Sequence, residues 1–397
     1  MSNSVAVLGV GMHPWGKWGN NFVEYGVKAA RDALRDAGVP WKDVQFIAGA
    51  NTVRCGYPGY VAGATFAKAL GWNGARVASC YAACASGAQA LNTARAQILA
   101  GMADVALVVG ADTTPKGFLA PNKGERPDDP DWLRFRLFGA TNPAYFAFHA
   151  RRRIELYGTT EQDIAEVRVK NGHNGLHNDN ARYKKAFTVD EVLASPMVAD
   201  PLRLFEICAT SDGGAAIVIA SHEYAKKLGQ KPVTIEAIST VTPTYPSTQL
   251  ELPDLATDSA AAVQVPNMNF KPAMVNAAYE EAGIGPDDIS LAEVYDLSTA
   301  MELDWYEALQ LCPEGDGQKL LRDGDTYIGG RVPVNASGGL ACFGEAVPAQ
   351  ALAQVCELTW QLRGQAGGRQ VENARYGVTA NEGLFGHGSS VVVKAAD

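Results

Sequence analysis

The sequence predicts an α/β protein built from two similar halves, and three observations support that prediction. Strand-like apolar runs alternate with helix-like segments along the whole chain. The same succession of elements returns after about residue 225. The 397 residues are 47% hydrophobic and 19% charged, which is enough apolar material for large cores. We therefore expect an N-terminal half at residues 1–225 and a C-terminal half at residues 226–397.

The first half begins with a predicted strand at Val5–Val10 and a helix at about Phe22–Ala37. Gly38, directly after that helix, is typical of a helix end. A second helix follows Cys84, and the strand Asp104–Gly110 after it is almost wholly apolar. A strand of this kind is buried on both faces of a sheet.

Residues 113–200 differ in composition from the segments around them. They are more polar and richer in Trp, Arg and Asn, and they include the runs Arg151–Arg153 and Asn171–Gly175. This composition predicts a large inserted loop region. A Gly-containing turn at Thr210–Gly214 then leads into the apolar strand Ala215–Ala220, near the end of the first half.

The second half repeats the pattern with the strand Val233–Ile238, the helix Lys271–Ala282, the strand Ile289–Tyr295 and the final strand Ser390–Lys394. The correspondence with the first half is specific at one place. Gly344 and Glu345 precede a helix predicted at residues 346–364, much as Cys84 precedes its own helix. We therefore expect Cys84 and Glu345 to occupy equivalent positions.

Composition excludes several classes of function. A net charge of -9 leaves no basic surface for a nucleic acid, and no apolar run reaches the roughly 18 residues of a membrane span. The N-terminus has no basic, signal-like segment. Seven cysteines without CxxC or Cys/His spacing predict neither a disulfide framework nor a metal site, and they suit a reducing, cytoplasmic compartment.

Cys84 is the candidate nucleophile. Free backbone N–H groups and the helix dipole at a helix N-terminus stabilise a thiolate and lower the cysteine pKa below its usual value of about 8.5. The alternative is a small buried core residue among alanines. Gly87 and the small residues around Cys84 favour the first interpretation, because they allow the backbone to approach a ligand closely.

Four segments together resemble the thiolase superfamily, and the resemblance spans nearly the whole chain. They are Cys84–Gly87, Asp212–Ala216, Asn335–Gly339 and the Gly-rich loop near the C-terminus. The tail Cys356–Gly364 resembles the lipid-transfer-protein or sterol-carrier-type thiolases. The resemblance implies a five-layer α/β/α/β/α thiolase fold, a homodimer, acyl-CoA and CoA as substrates without a bound cofactor, and acylation of Cys84.

The departures from the family pattern concern the base. Where the family has Gly-His-Pro this chain has Gly344-Glu345-Ala346, and where the family has Asn or His after a strand it has Tyr295. The usual histidine base is therefore missing. Glu345 becomes a competent base if burial raises its pKa toward neutrality, and its alternative role is to cap the following helix.

The other candidate site residues are Tyr295, His387, Asn335, Gly386 and Gly388. The Tyr295 hydroxyl would donate to an oxyanion or transfer a proton, although a single tyrosine is also ordinary packing material. His387 lies between two glycines in the loop where the resemblance implies a second catalytic motif, so its imidazole or the backbone N–H groups of Gly386 and Gly388 would reach the substrate. Arg and Lys residues of the inserted region would hold the CoA phosphates.

This chain lacks the family histidines at the positions of Glu345 and Tyr295. In this respect it resembles thiolase subunits that work with a small zinc-ribbon/OB-fold (DUF35) partner. Two reactions occur among them: thiolysis of a bulky 3-oxoacyl-CoA, such as benzoylsuccinyl-CoA to benzoyl-CoA and succinyl-CoA, and retro-aldol cleavage of a 3-hydroxyacyl-CoA steroid side chain. The aldolases resemble thiolases with glycine at the cysteine position and a second tyrosine where this chain has Val347. Cys84 and Val347 therefore favour thiolysis over the aldolase. A non-catalytic acyl-CoA or lipid carrier or scaffold subunit is the second alternative, because the two family histidines are missing.

Overall fold

A computed structural model describes residues 4–50, 61–114, 141–242, 270–383 and 387–396. The strands of these residues are β1 (Val5–Gly16), β2 (Phe46–Ala50), β3 (Arg76–Cys80), β4 (Val105–Thr113), β5 (Met197–Ala199), β6 (Leu202–Arg203), β7 (Asp212–Ala220), β8 (Val233–Val241), β9 (Leu291–Val294), β10 (Tyr376–Gly383) and β11 (His387–Lys394). Nine of them form one sheet in the order β3-β2-β4-β7-β1-β8-β11-β10-β9, and β5 pairs with β6. The two halves of the sheet join where β1 and β8 pair antiparallel.

The helices of the same residues are α1 (Phe22–Ala37), α2 (Ala62–Leu70), α3 (Ser86–Leu99), α4 (Asn142–Tyr157), α5 (Glu161–Gly175), α6 (Val189–Leu193), α7 (His222–Lys227), α8 (Phe270–Ala282), α9 (Thr299–Ala308), α10 (Gly317–Arg322), α11 (Gly339–Phe343) and α12 (Gln350–Leu362). None of these helices is long and apolar enough to cross a membrane. The helix predicted at residues 346–364 begins later than expected, because a 3-10 turn with Pro348 at residues 347–349 precedes α12.

The central strands of the large sheet bury both faces and thereby separate five layers. In β4, Ala106 and Val108 pack with α3 and α12 in one core, whereas Leu107 and Val109 pack on α1 and α2 in another. In β11, Val391 and Val393 join the first of these cores, while Val392 packs on α8 and α9. Helices α3 and α12 are therefore enclosed by the two halves of the sheet, with helices outside each half. This is the five-layer α/β/α/β/α arrangement that the resemblance implies.

The described part of the predicted loop insertion is largely helical. Thr141, Thr160 and Thr188 each cap the N-terminus of a helix, α4, α5 and α6 respectively, with their side chains accepting from backbone N–H groups. Many of the polar side chains that made this region resemble a loop are buried, including Arg153 and Lys170, and they form ion pairs. Polar composition concealed the helices because the polar groups find their partners inside the protein rather than in water.

Candidate active site

Cys84 lies in a tight turn directly before α3. Ala85 is the N-cap residue, and Ala83 adopts a left-handed backbone conformation (φ 47°), which is uncommon for a residue other than glycine. The Ser86 hydroxyl closes the turn, because its oxygen accepts from the Ala82 N–H at 2.9 Å and donates to the Ala83 carbonyl at 2.5 Å. The local sequence therefore fixes a buried Cys84 at the start of a helix.

Two glycines allow the Cys84 turn to pack closely against the other half of the protein. A Cβ atom on Gly87 would lie 3.0 Å from the Pro348 carbonyl oxygen. A Cβ atom on Gly383, at the end of β10, would lie 2.5 Å from the Ala82 oxygen and 3.2 Å from the Cys84 nitrogen. No side chain fits at Gly383 without displacing the turn, so the strand end and the Cys84 backbone are in direct contact.

Glu345 is held from the N-terminal half. Its N–H donates to the Ala209 carbonyl at 2.7 Å, and its carbonyl accepts from the Ser211 N–H at 2.9 Å. Gly344 has a positive φ of 70°, and a Cβ atom there would lie 2.5 Å from the Ser211 hydroxyl oxygen. The Glu345 side chain is fully buried. Helix α12 begins only at Gln350 and has no side-chain cap, so Glu345 does not cap it.

Tyr295 lies between the cysteine and the glutamate. Its hydroxyl donates a hydrogen bond to the Glu345 carboxylate and is within hydrogen-bonding reach of the Cys84 thiol. Burial raises the pKa of Tyr295 well above its usual value, and the neighbouring Cys84 and Glu345 raise it further. A phenol that keeps its proton in this position can accept a proton from the thiol while donating its own to the carboxylate.

Asn335 secures the strand that carries Tyr295. Its side-chain oxygen accepts from the Val294 N–H at 2.8 Å, and its side-chain nitrogen donates to Glu302 at 2.7 Å. Asn335 itself has a positive φ of 55°. The described contacts of this side chain are thus with Glu302 and with the residue before Tyr295, and its predicted role in the chemistry stays a prediction.

His387 and Gly388 are the first two residues of β11 and border a cavity of about 100 Å³ beside the Cys84 turn. The cavity is lined by Ala82, Ala85, Gln89, Thr240, Val241, Thr242, His387 and Gly388. Gly388 pairs with Glu382 of β10 and packs closely against the Phe270 ring. Gly386 lies outside the described residues. The roles of these three residues in binding or catalysis stay predictions.

Two further groups near Glu345 were not predicted from the sequence. Burial raises the pKa of the Cys208 thiol well above its usual value, with Glu345 and Asp296 adding to the effect. Burial also raises the pKa of Asp112, at the end of β4, to about 7. The signal for Asp112 was its place as the one ionisable residue of an otherwise apolar strand.

A second polar network lies next to the site. Glu302 is fully buried and receives the Lys170 ammonium at 2.7 Å and the Asn171 side-chain amide at 2.6 Å. Asp296, directly after Tyr295, accepts from the N–H groups of Leu340 and Ala341 at the start of α11. Burial and the nearby Glu302 raise the pKa of Asp296 above its usual value. Across the described ranges, no cluster of three or more His, Cys, Asp or Glu side chains is arranged to hold a metal ion.

Two family models match the chain in succession. The model of the thiolase N-terminal domain matches residues 5–223, and the model of the thiolase C-terminal domain-like family matches residues 255–395. Together they span most of the sequence, including Cys84, Tyr295 and Glu345.

Similar proteins extend over nearly the full length of the chain. Sterol carrier protein 2 of Gallus gallus is 34% identical over 409 residues, with 99% of this chain and 71% of the relative covered. The benzoylsuccinyl-CoA thiolase subunit BbsB of Thauera aromatica is 31% identical, with 94% of this chain and 92% of that protein covered. The solved structure of the Ltp2-ChsH2(DUF35) aldolase superposes with a TM-score of 0.81 at 23% identity, over 99% of this chain and 98% of that one. The last likeness shows a shared fold.

Proposed function

We propose that this chain, which belongs to the thiolase family and is a thiolase-type acyltransferase acting on acyl-CoA, cleaves a bulky 3-oxoacyl-CoA through an acyl-enzyme on Cys84. The observation that carries the proposal is the contact series from the Cys84 thiol through the Tyr295 hydroxyl to the Glu345 carboxylate. It provides a nucleophile and a proton acceptor in a site without the usual histidine.

The first half of the reaction transfers the acyl group to the enzyme. The Cys84 thiol gives its proton to the Tyr295 oxygen as Tyr295 gives its own proton to Glu345. The thiolate then attacks the C3 ketone carbon, the C2–C3 bond breaks, and the electron pair of that bond stays on C2. The proton held by Glu345 returns through Tyr295 to C2, and the shortened acyl-CoA leaves.

The second half releases the acyl group. The thiol of a free CoA gives its proton to Glu345 through Tyr295, and the resulting thiolate attacks the thioester carbon on Cys84. The new CoA–acyl bond forms as the bond to the Cys84 sulfur breaks, and the proton held by Glu345 returns to Cys84. The same three groups therefore serve both steps, and the enzyme ends in its starting protonation state.

Benzoylsuccinyl-CoA is the substrate that we propose, with benzoyl-CoA and succinyl-CoA as products. The support is the 31% identity to the BbsB subunit over almost all of both chains. Cys84 and the buried Val347 belong to the same apolar core, and both agree with thiolysis, because the aldolases resemble thiolases with glycine and tyrosine at these positions. The Tyr295–Glu345 pair could also take up a proton in retro-aldol cleavage of a 3-hydroxyacyl-CoA, so that reaction is the second candidate.

We also propose that the enzyme works as a homodimer with a small zinc-ribbon/OB-fold subunit. The solved aldolase of the same fold carries a DUF35 partner in its name, and BbsB is named as a subunit. Strand β3 lies at one edge of the sheet with half of Val77 exposed, which leaves an edge on which a second copy could pair. Mass photometry with and without a co-expressed partner would count both subunits.

The decisive experiment looks for the covalent intermediate. The protein, with any co-purifying partner, is incubated with benzoylsuccinyl-CoA in the absence of free CoA, and Cys84 is examined by mass spectrometry for a benzoyl adduct. We expect the adduct in the native enzyme and in Cys356→Ala, a matched change at a buried cysteine whose described contacts lie outside the site, and its absence in Cys84→Ala. Cleavage that persists in Cys84→Ala would reject the thiolase mechanism.

Further substrates separate the remaining alternatives. A 3-hydroxyacyl-CoA cleaved equally by the native enzyme and Cys84→Ala would establish the retro-aldolase. Failure to cleave either substrate, together with slow alkylation of Cys84 by low concentrations of iodoacetamide at neutral pH, would indicate a carrier or scaffold subunit, because an activated thiol reacts quickly.

A further inference from the structure

Glu345 poses a problem of proton supply. Its side chain is completely buried, yet each half-reaction requires it to gain and lose a proton. The proposed steps return each of these protons inside the site, so exchange with water is needed only when the resting enzyme must lose a proton from Glu345 before the first step. A buried carboxyl depends on the groups around it for that exchange. Asp112 is such a neighbour, since the charge of Glu345 contributes to the raised pKa of Asp112.

The strand register places Asp112 and Glu345 around one short segment. Asp112 of β4 pairs with Gly213 of β7, and Glu345 forms a β-bridge with Thr210 three residues earlier. Gly110, two residues before Asp112 and on the same face of β4, packs directly against the Pro348 carbonyl that follows Glu345. The two carboxyl groups therefore approach one another from opposite halves of the protein.

Asp112 keeps unused hydrogen-bonding capacity on its buried side chain. One carboxyl oxygen accepts from the Thr114 hydroxyl at 2.6 Å, and the Thr113 N–H lies close enough to the carboxyl to lower its pKa. The second oxygen makes no hydrogen bond of regular geometry with the described residues. The side chain is only 1% exposed. Such an orphaned oxygen is costly unless it serves a purpose or binds a buried water.

The matching donor is the Trp15 indole. Its Nε1–H is likewise buried without a partner among the described residues. A Cβ atom on Gly213 would lie 2.8 Å from Trp15 Nε1, and directly opposed residues of antiparallel strands have Cβ positions about 5 Å apart. Trp15 Nε1 and the Asp112 side chain therefore lie over the same face of the sheet at neighbouring positions, where one water could bond to both.

On its outer side, Asp112 is linked through Thr114 to the partly exposed Lys17. Lys17 donates to the Thr114 carbonyl and forms an ion pair with Asp212 at 2.9 Å, and its side chain is 32% exposed. The ionisable groups around Asp112 are thus Glu345 on the buried side and the Lys17–Asp212 pair on the outer side.

We propose that Asp112 is a second carboxylate of the site, which exchanges protons with Glu345 through a water held by the Trp15 indole and passes them toward Lys17 and solvent. This rests on the proposed role of Glu345 as the base. In the resting enzyme, a proton on Glu345 moves to the bridging water as that water gives one of its protons to Asp112. Protonated Asp112 then gives its proton to solvent water near Lys17, which leaves Glu345 ionised for the first step of the reaction. The number of charges and bonds is unchanged by each transfer.

The test compares Asp112→Asn with Glu206→Gln. Glu206 is a matched control, because burial also raises its pKa to about 7 but its charged neighbours are Arg203 and Glu161. The first readout is the rate of Cys84 alkylation by iodoacetamide as a function of pH. Removing the negative charge of Asp112 makes the thiolate easier to form, so the midpoint should move to lower pH in Asp112→Asn and stay in place in Glu206→Gln.

The second readout is turnover of the 3-oxoacyl-CoA. In Asp112→Asn we expect the acid limb of the pH profile of kcat/KM to move to lower pH, because ionised Glu345 no longer faces a second negative charge, with the maximal kcat nearly unchanged. Thr114→Val removes the donor that stabilises the Asp112 anion, so its alkylation midpoint should shift in the same direction by less. This second variant decides the matter if Asp112→Asn fails to fold.

The outcomes distinguish this proposal from the function on which it rests. An unshifted alkylation profile in both variants, with or without a lower melting temperature, would overturn the relay and make Asp112 a structural residue. A shifted profile in an enzyme that cleaves no 3-oxoacyl-CoA would keep the link between Asp112 and Cys84 and reject only the proposed substrate chemistry.

Discussion

Glu302 and Glu345 are both fully buried glutamates, but their surroundings differ. Glu302 faces the Lys170 ammonium at 2.7 Å and three further donors: the side-chain amides of Asn171 and Asn335 and the Tyr306 hydroxyl. The contacts described for Glu345 are of another kind: the Tyr295 phenol, with Asp112 and the Cys208 thiol as electrostatic neighbours.

The comparison assigns a structural role to the Glu302 carboxylate and a role in proton transfer to the Glu345 carboxylate. An ion pair with several good hydrogen bonds fixes the charge of a buried carboxylate and the geometry around it, and removing one partner is costly. A carboxyl beside a phenol, a thiol and a second carboxyl has neighbours that can exchange protons with it. The two glutamates should therefore respond in opposite ways to matched substitutions.

The largest expected effect is that of Glu345→Gln on turnover. Loss of the proton acceptor should lower kcat by about 10²- to 10⁴-fold, because this is the usual contribution of a general base. The free energy of unfolding, measured by urea titration, should change little, since glutamine keeps the size and an acceptor for Tyr295. A loss of stability with unchanged kcat would put Glu345 in the same class as Glu302.

Lys170→Met tests the other member of the comparison. The change leaves the Glu302 carboxylate buried without its counter-charge and should lower the free energy of unfolding by about 3–5 kcal/mol. Lys227→Met is the control, because Lys227 forms an exposed pair with Glu223 and should have no measurable effect on stability. Equal behaviour of the two variants in urea would contradict the structural role of Lys170.

Tyr295→Phe and Tyr306→Phe each remove a tyrosine hydroxyl that donates a hydrogen bond to one of the two glutamates. Tyr295→Phe breaks the contact series to Cys84 and should reduce kcat about a hundredfold, a magnitude typical of a lost transition-state donor. Tyr306→Phe removes a hydrogen bond to a charged group and should cost about 1.5–3 kcal/mol of stability while leaving kcat nearly unchanged. A loss of stability in Tyr295→Phe together with a loss of kcat in Tyr306→Phe would instead make Glu345 the structural residue and Glu302 the proton acceptor.

The last prediction concerns the pH dependence of stability near Asp296, where the expected change per pH unit is the smallest of these effects. Burial and Glu302 raise its pKa in the folded state above the unfolded value of about 3.9, so the folded protein retains a proton that the unfolded chain has lost. The free energy of unfolding should therefore decrease as pH rises from about 4 toward neutrality, by at most about 1.4 kcal/mol per pH unit from this group. Asp296→Asn should flatten that slope, whereas the exposed Asp287→Asn should leave it unchanged.

Local patterns in the sequence were sufficient for most strands and helices around the site. Helix α1 begins and ends as its amphipathic pattern and Gly38 predict, and the apolar runs in β4 and β7 form buried strands. The described helices between residues 141 and 200 were not anticipated. Their polar residues, such as Arg153 with Asp304, are satisfied by partners far away in the chain, which no local pattern can reveal.

For the candidate site, the sequence by itself determined which residues carry reactive groups: Cys84 before a helix, Glu345 in place of the expected histidine, and Tyr295 after a buried strand. Only the tertiary structure decided that these groups are in contact and that Asp112 and Cys208 lie among the neighbours of Glu345. The physical reason is that a side chain's type is local, whereas its burial and its charged neighbours depend on strands and turns brought together from both halves.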